Sequence, residues 1–177
     1  NKTEVYSVDH LHGMEPLFSD IYADAKGQGI PAETVISEYA PGQYELTLNY
    51  RTDLMRAADD LVMLKRLVRA QARRHGVVAC FMAKPIERYA GSGMHLHVSM
   101  AGTDGNVFTE TREGEWAPLL LHALGGLAAT MPESMLVFAP HANSWRRFVS
   151  QSYAPVAPTW GVNNRSVALR VPAGDAK

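Results

Sequence analysis

The sequence predicts an α+β fold, and three features support that prediction: a long amphipathic helix, a hairpin and an alternating strand. Apolar residues recur at helical spacing through residues 52–76, which predicts the helix. A turn dipeptide, Pro41–Gly42, divides residues 33–50 into two strand-like halves. Residues 94–100 alternate apolar and polar side chains, as a half-buried strand does. Helices mixed with antiparallel hairpins favour α+β over a doubly wound parallel sheet.

The remaining elements follow from the same signals, in chain order. Residues 14–31 predict a first helix that ends at glycine. In the long helix, Thr52 is the expected N-cap residue. The fully apolar residues 77–83 predict a short buried strand. Further helices are predicted over residues 117–131 and 132–140, and a last strand over residues 165–172.

Composition limits the kind of protein. The chain has 177 residues, of which 46% are hydrophobic and 20% charged, which predicts one globular domain or part of a larger one. Its net charge of −1 does not favour a nucleic-acid-binding or membrane-surface protein. No apolar run reaches membrane-spanning length. The single cysteine, Cys80, excludes an internal disulfide and fits a reducing cytoplasm, where we expect the protein to reside.

Residues 91–100, GSGMHLHVSM, place two histidines one residue apart. In a strand, His95, His97 and Ser99 share one face, and the apolar residues between them share the other, which we expect to lie on a core. Two imidazoles about 7 Å apart suit two neighbouring tasks better than one shared ion. The alternative is a half-exposed strand that carries two histidines without a site. Gly91 allows a ligand to approach the backbone closely, although such glycines also form simple turns.

Two glutamates flank the predicted hairpin turn. Glu38 and Glu45 are seven residues apart, and a hairpin brings such residues close in space. Paired carboxylates repel one another unless a cation or a proton lies between them. A ligand set of carboxylate oxygens together with one imidazole suits Mg²⁺ or Mn²⁺. The alternative is a pair of exposed glutamates on an edge strand.

Arginines cluster in the last third of the chain, at Arg146, Arg147, Arg165 and Arg170. Arginine forks are the usual receptors for phosphate and carboxylate oxygens, although surface arginines are also common. In a regular strand Arg165 and Arg170 point to opposite faces, unless a loop or bulge near Asn164 intervenes. Carboxylates, histidines and arginines together suit a nucleoside triphosphate and its cations.

Taken together, these residues and their surrounding motifs resemble the catalytic domain of the glutamine synthetase family. The matching motifs are EYAPGQYE, KP followed by GSGMHLH, NSWRRFV and APTWGVNNRSVALRVP, in the family's order, between about residues 33 and 172. The resemblance implies an antiparallel sheet with flanking helices, in ring-shaped homo-oligomers. Residues 1–177 are then expected to be part of the catalytic domain, without the N-terminal β-grasp domain and the C-terminal part of the catalytic domain.

The resemblance also implies a role for individual residues. Glu38, Glu45 and His95 correspond to ligands of Mg²⁺ or Mn²⁺, and we expect them to converge around one cavity. Tyr50, His97, Ser99 and Arg170 correspond to nucleotide contacts. Gly91 and Arg147 correspond to contacts with the glutamate substrate, and Arg165 and Arg147 to residues that assist catalysis.

The implied reaction is ligation in two steps. ATP phosphorylates the γ-carboxylate of glutamate, and ammonia or an organic amine then attacks the γ-glutamyl phosphate. Only three of the six expected metal ligands lie in this chain, so we expect the 177-residue chain alone to be inactive. The alternatives are a non-catalytic structural or binding module of the same fold and, disfavoured by the motif order, a guanido-kinase relative.

One departure from the family pattern predicts which kind of amine the protein uses as acceptor. Glutamine synthetases that use ammonia carry a glutamate six residues after the substrate-binding arginine, and this chain has Tyr153 there. A phenol brings no negative charge to an ammonium ion, but its flat ring suits an alkyl amine. The same substitution is typical of γ-glutamylpolyamine synthetase-like members. We therefore expect the full-length protein to use an organic amine or polyamine rather than ammonia.

Overall fold

The computed structural model describes residues 5–109, 112, 114–150 and 152–172, and it confirms the α+β prediction. In chain order the elements are α1 (Val8–His12), α2 (Glu15–Gly27), β1 (Ala32–Ser37), β2 (Tyr44–Leu48), α3 (Leu54–Arg74), β3 (Ala101–Gly102), β4 (Gly105–Asn106), α4 (Pro118–Thr130), α5 (Met135–Phe138), α6 (Ala142–Trp145), β5 (Trp160–Val162) and β6 (Leu169–Val171). The chain forms two compact units. The first unit holds the residues up to 81 together with 88–92, and the second holds 82–87 and the residues from 93 onward.

The core of the first unit lies between α2 and α3. The apolar residues buried there are Leu17, Phe18, Ile21 and Ala25 from α2, and Leu64, Leu67 and Val68 from α3. The helical spacing predicts most of them but not Phe18 or Leu67, and Ala23, which it also predicts on the buried side, is exposed. The ring of Phe18 meets the edge of the Tyr44 ring at a centroid distance of 5.0 Å. This contact joins the helix pair to the hairpin.

The hairpin of β1 and β2 covers that core with one of its faces. The strands are antiparallel, and the turn between them places Gly42 at a φ of 71°, a conformation that glycine adopts without strain. Alternate residues of β2, namely Tyr44, Leu46 and Leu48, pack against the core cluster. The residues between them, such as Glu45, therefore belong to the opposite face.

The start of α3 differs from the prediction by one residue. Asp53, and not Thr52, is the N-cap: its Oδ1 accepts hydrogen bonds from the backbone N–H groups of Met55 at 2.9 Å and Arg56 at 3.1 Å. A carboxylate is favoured at this position because it also interacts with the helix dipole. The helix ends before Gly76, whose φ is 72°.

Asp60, on α3, is a buried carboxylate held between two arginines. It is only 2% exposed, and its oxygens lie 2.8 Å from Arg51 Nε and 3.0 Å from Arg56 Nε. Arg51 also donates a hydrogen bond to the carbonyl of Gly29, which follows α2. This ionic group therefore fastens the segment after β2 to both helices.

The second unit is organised around α4 and β6. Ala117, Leu120 and Leu124 form a small buried cluster with Val171. Strand β6 pairs with β5 in parallel, with Gly161 opposite Arg170. Residues 163–168 alone connect the two strands, which is short for a parallel pair.

Three strand predictions need correction. Residues 77–83 and 94–100 form no strand, and of residues 165–172 only Leu169–Val171 do so. The apolar side of residues 94–100 does not lie on a core, because Met94, Leu96 and Val98 are exposed. A strand needs a neighbouring strand for its backbone N–H and C=O groups, and among the described residues neither 77–83 nor 94–100 belongs to a sheet.

None of the helices within the described ranges has the length and apolar character that crossing a membrane requires.

Candidate functional site

The two glutamates of the hairpin lie on the same face. Glu45 is paired with Ile36, and Glu38 is two residues further along the opposite strand. The backbone N–H of Glu38 donates a hydrogen bond of 2.8 Å to the carbonyl of Gln43, so the strand pairing continues past the end of β1. Glu38 and Glu45 are therefore diagonal neighbours on the face that turns away from the first unit's core.

The glutamate pair has the character of a cation site. Both side chains are half-buried, and neither forms an ion pair with a cationic side chain in the part of the chain that the structure describes. Glu38 Oε2 accepts the backbone N–H of Tyr39, at 3.2 Å. Two oxygen ligands of like charge on one face suit Mg²⁺ or Mn²⁺, so these residues fit the metal that the sequence implies.

The third predicted ligand, His95, belongs to the second unit, whereas the glutamates belong to the first. Within either unit, the described residues include no group of three His, Cys, Asp or Glu side chains arranged to hold a metal ion. The convergence of Glu38, Glu45 and His95 around one cavity therefore stays a prediction.

Gly91 is attached to the glutamate hairpin by a side chain that the sequence analysis did not identify. Gln43 Nε2 donates hydrogen bonds to the carbonyl oxygen of Gly91 at 3.0 Å and to Ser92 Oγ at 3.2 Å. Gln43 shares its face with Glu45, two residues away. The predicted metal carboxylates and the predicted substrate backbone therefore lie side by side within the first unit.

The predicted ligand-contacting side chains within residues 94–100 are exposed. His95, His97 and Ser99 all lie on a segment without regular secondary structure. Their exposure leaves the imidazole and hydroxyl groups accessible to a ligand. The structure does not bury the apolar residues between them, so it provides no packing that fixes the direction of this face.

Arg147 lies against the backbone of Gly93 in the second unit. A Cβ added at Gly93 would stand 3.2 Å from Arg147 Nη2 and 3.7 Å from Cζ, so a larger residue there would require the guanidinium group to shift. Burial lowers the pKa of Arg147, but an arginine stays protonated in proteins. No carboxylate within the described ranges forms an ion pair with this half-buried cation. A desolvated cation without an internal anion is suited to an anionic ligand.

The segment that carries Arg147 is fixed by Asn143, on α6. Asn143 Oδ1 accepts the backbone N–H of Lys84 at 2.7 Å, and its Nδ2 donates to the Lys84 carbonyl at 2.8 Å. The side-chain amide of Asn143 thus pairs with both backbone groups of Lys84, as the backbone of a neighbouring strand would, although the two residues are 59 positions apart in the sequence. It was not predicted, although Asn143 begins the NSWRRFV motif.

The two predicted phosphate-binding arginines lie at and beside the β5–β6 connection. Arg165 lies in the connecting loop and Arg170 lies on β6, and both are exposed. Asn163 has a φ of 49°, and Asn164 Oδ1 accepts the backbone N–H of Ser166 at 2.9 Å. The loop near Asn164 that the sequence analysis considered is therefore present, and strand alternation does not separate the two arginines.

The two predicted aromatic contacts, Tyr50 and Tyr153, lie on the surface. Tyr50 follows β2 and is 87% exposed, and Tyr153 is 77% exposed. Their exposure leaves both rings accessible to a ligand.

Comparison with known proteins gives one family. The family model of the glutamine synthetase catalytic domain matches residues 1–177. Gamma-glutamylputrescine synthetase PuuA from Escherichia coli (strain K12) is 46% identical over 174 residues, which are 98% of this chain and 37% of that protein. Glutamate–isopropylamine ligase from Pseudomonas sp is 32% identical over 93% of this chain and 36% of that protein.

A solved structure of apo GmaS without ligand superimposes with a TM-score of 0.86 at 30% identity, covering 97% of this chain and 40% of that one. The chain therefore spans less than half the length of the relatives that it matches.

Proposed function

The chain belongs to the glutamine synthetase family, and on that premise we propose that the full-length protein is an ATP-dependent ligase that joins the γ-carboxylate of glutamate to an amine. Residues 1–177 then form part of its catalytic domain. The protein acts in the cytoplasm as a ring-shaped homo-oligomer. The observation that carries the proposal is the glutamate hairpin, where Glu38 and Glu45 share a face without a cationic side-chain partner in the described chain.

Each predicted site residue has one task in this proposal. Glu38 and Glu45 would hold the divalent cation nearest the substrate. His95 would hold a second cation, which neutralises charge at the phosphates of ATP when bound. Arg147 binds a carboxylate of glutamate, because its guanidinium is half-buried and has no carboxylate partner in the described part of its own unit. Gly91 meets the substrate through its backbone. Tyr50, His97, Ser99 and Arg170 contact the nucleotide, and Arg165 stabilises the transferred phosphoryl group.

The proposed reaction proceeds in two displacements. A γ-carboxylate oxygen of glutamate forms a bond to the terminal phosphorus of ATP, and ADP leaves. The lone pair of the amine then attacks the acyl carbon of the γ-glutamyl phosphate, and phosphate leaves as the amide forms. The nitrogen gives up its extra proton to the leaving phosphate or to water in this step. The arginines act by charge, since negative charge moves between oxygens in both displacements.

The acceptor in this proposal is an organic amine. Tyr153 presents a ring and a neutral hydroxyl, so it offers an apolar surface to an alkyl chain and brings no carboxylate to an ammonium ion. Two of the similar proteins are named for putrescine and isopropylamine, both of which are organic amines. A polyamine such as putrescine is our first choice because the protein named for it has 46% identity with this chain.

The test compares acceptors in the full-length protein. Ammonium, putrescine and isopropylamine are supplied in parallel with ATP, Mg²⁺ and glutamate, and phosphate release gives kcat/KM for each acceptor. We expect an organic amine to have the highest kcat/KM. The highest value for ammonium would instead assign ordinary glutamine synthesis. A complete lack of glutamate-dependent phosphate release would favour a non-catalytic binding module.

A matched pair of variants tests the task of Arg147. Arg147→Lys keeps the positive charge but loses the two-pronged geometry, so it is expected to raise the KM for glutamate about tenfold or more. Arg146→Lys is the control, since Arg146 is the adjacent arginine and is exposed. Equal KM values in the two variants would remove Arg147 from the substrate site.

A further inference from the structure

Gln43 lies in the turn between the two glutamates, and its side chain makes hydrogen bonds in two directions. Its Oε1 accepts the backbone N–H of Ala40 at 3.0 Å, inside the turn. Its Nε2 donates to the Gly91 carbonyl and to Ser92 Oγ, which are 48 and 49 residues away in sequence. Both donors of the amide group are therefore in use.

The backbone of Gln43 also holds the hairpin. Its N–H donates a 3.0 Å hydrogen bond to the Ala40 carbonyl, and its carbonyl accepts the N–H of Glu38 at 2.8 Å. A single residue thus closes the turn, aligns Glu38 and contacts the Gly91–Ser92 segment. Few side chains have this reach, because asparagine is one methylene shorter and glutamate has no donor.

The Gly91–Ser92 segment depends on this contact. It has no regular secondary structure, and in the described part of the chain the hydrogen bonds to Gly91 and Ser92 come from Gln43. A glycine in irregular structure has a wide choice of backbone conformations. The amide group of Gln43 restricts that choice by fixing the direction of the Gly91 carbonyl.

We infer that Gln43 is a positioning residue, which holds the Gly91–Ser92 backbone in register with the Glu38–Glu45 pair so that substrate and cation bind in a fixed relation. This inference rests on the proposed function, since Gly91 is assigned to substrate there. Gln43 itself does not touch the reacting atoms. It acts through the backbone that meets the substrate and through the turn that aligns the carboxylates.

The experiment uses Gln43→Glu in the full-length protein. Glutamate has the same size as glutamine, and its carboxylate can still accept the N–H of Ala40. It cannot donate to Gly91, and its negative charge faces the Gly91 carbonyl oxygen. Gln43→Met, which keeps the length without any polar atom, is the second variant. Gln28→Glu is the matched control, because Gln28 is an exposed residue of the same unit.

We expect Gln43→Glu to raise the KM for glutamate by about ten- to a hundredfold, the range that follows from leaving a buried polar group without its partner. The KM for ATP is expected to change less than about twofold, since the side chain of Gln43 hydrogen-bonds to Ala40, Gly91 and Ser92, none of which is assigned to the nucleotide. Gln43→Met is expected to raise the KM for glutamate in the same direction. The backbone amides of residues 91–93 should exchange hydrogen faster in both variants than in the control.

Three results overturn the inference. An unchanged KM for glutamate in active Gln43→Glu protein shows that the contact has no positioning role. Equal increases in both KM values, together with a lower melting temperature, show a purely structural role. Phosphate release by the wild-type protein that does not depend on glutamate would overturn the proposed function. In that case hydrogen exchange still tests the inference: unchanged exchange at the amides of residues 91–93 in the Gln43 variants would show that Gln43 does not order this segment.

Discussion

The guanidinium group of Arg147 and the backbone of Gly93 are packed so closely that a Cβ at residue 93 would stand 3.2 Å from Nη2. The two residues are 54 positions apart in the sequence, yet the side chain of one occupies the space left by the other. Because the guanidinium is the flexible end of a long side chain, it can move by a few tenths of an ångström. A site that binds a carboxylate in two prongs is sensitive to such a movement.

Gly93→Ala is therefore expected to raise the KM for glutamate by about three- to tenfold, and Gly93→Val by more, since its second methyl group needs further space. Steady-state kinetics of the full-length protein measure both values. Gly125→Ala is the control, because a Cβ at Gly125 meets no atom within 4 Å. Kinetics that are the same in Gly93→Val and in the control would contradict the placement of Arg147 at the substrate.

Removing one charge from the glutamate pair should weaken metal binding. Glu38→Gln and Glu45→Gln keep the size of each side chain, and each is expected to lower the affinity for Mn²⁺ by about a hundredfold, since affinity depends on the number of charged ligands. Free Mn²⁺ can be measured by electron paramagnetic resonance. Glu133→Gln, at an exposed position, is the control and should leave the affinity unchanged.

Tyr153→Glu should change the choice of acceptor. A carboxylate in place of the phenol attracts ammonium and removes the apolar surface for an alkyl chain. We expect the ratio of kcat/KM for ammonium to that for putrescine to rise about tenfold or more. Tyr153→Phe keeps the ring and should preserve the preference of the wild-type protein. A ratio that is the same in all three proteins would place acceptor selection elsewhere.

Asp60→Ala should lower the free energy of unfolding by about 3 kcal/mol, because it leaves Arg51 and Arg56 without the carboxylate that joins them. Urea denaturation measures the change. Asp59→Ala is the matched control: Asp59 is the adjacent residue on α3 and is exposed, so its removal should change stability by less than about 0.5 kcal/mol. Equal losses in both variants would mean that general helix effects, and not the ionic group, explain the result.

Two partly buried tyrosines should make the protein less stable in alkali. Burial raises the pKa of Tyr22 and Tyr44, and the negative charge of Glu33 adds to the effect at Tyr22. A phenol of the unfolded chain titrates near pH 10, so the folded state holds its proton more tightly. This contribution is complete below about pH 10 and is lost as the pH rises through the folded-state pKa.

The urea midpoint is therefore expected to fall as the pH rises above about 10. Tyr44→Phe should flatten that fall, at the cost of the 3.2 Å hydrogen bond from the Tyr44 hydroxyl to the His10 carbonyl. Tyr39→Phe, at an exposed ring, is the control. An identical pH profile in both variants would attribute the alkaline loss to other groups.

Much of the fold is predictable because its signals are local. The periodic residues Leu64, Val68 and Ala72 predict the buried side of α3, and Pro41–Gly42 predicts the hairpin, since spacing and turn chemistry act within a few residues. The prediction of the α3 N-cap is wrong by one residue, and this error also concerns a local signal. Thr52 and Asp53 are both good caps, and only the geometry of the first turn decides between them.

The unpredicted features depend on distant residues. Whether residues 94–100 form a strand is decided by a neighbouring strand, and no local signal specifies one. The contact of Gln43 with Gly91 spans 48 residues, and that of Asn143 with Lys84 spans 59. The placement of Glu38 and Glu45 on one face can be predicted from the sequence, because the turn of a short hairpin determines its register.

The exposed residues 94–100 have one more consequence, which concerns solubility. Alternate side chains there are apolar and exposed, with Val98 at 72%, and the backbone has no strand partner among the described residues. Such a segment is a template for strand addition by a second molecule. In concentrated solution the chain by itself should aggregate through these residues before it unfolds. A lysine at Leu96 would act as a gatekeeper against that association, because a charge interrupts edge-to-edge stacking.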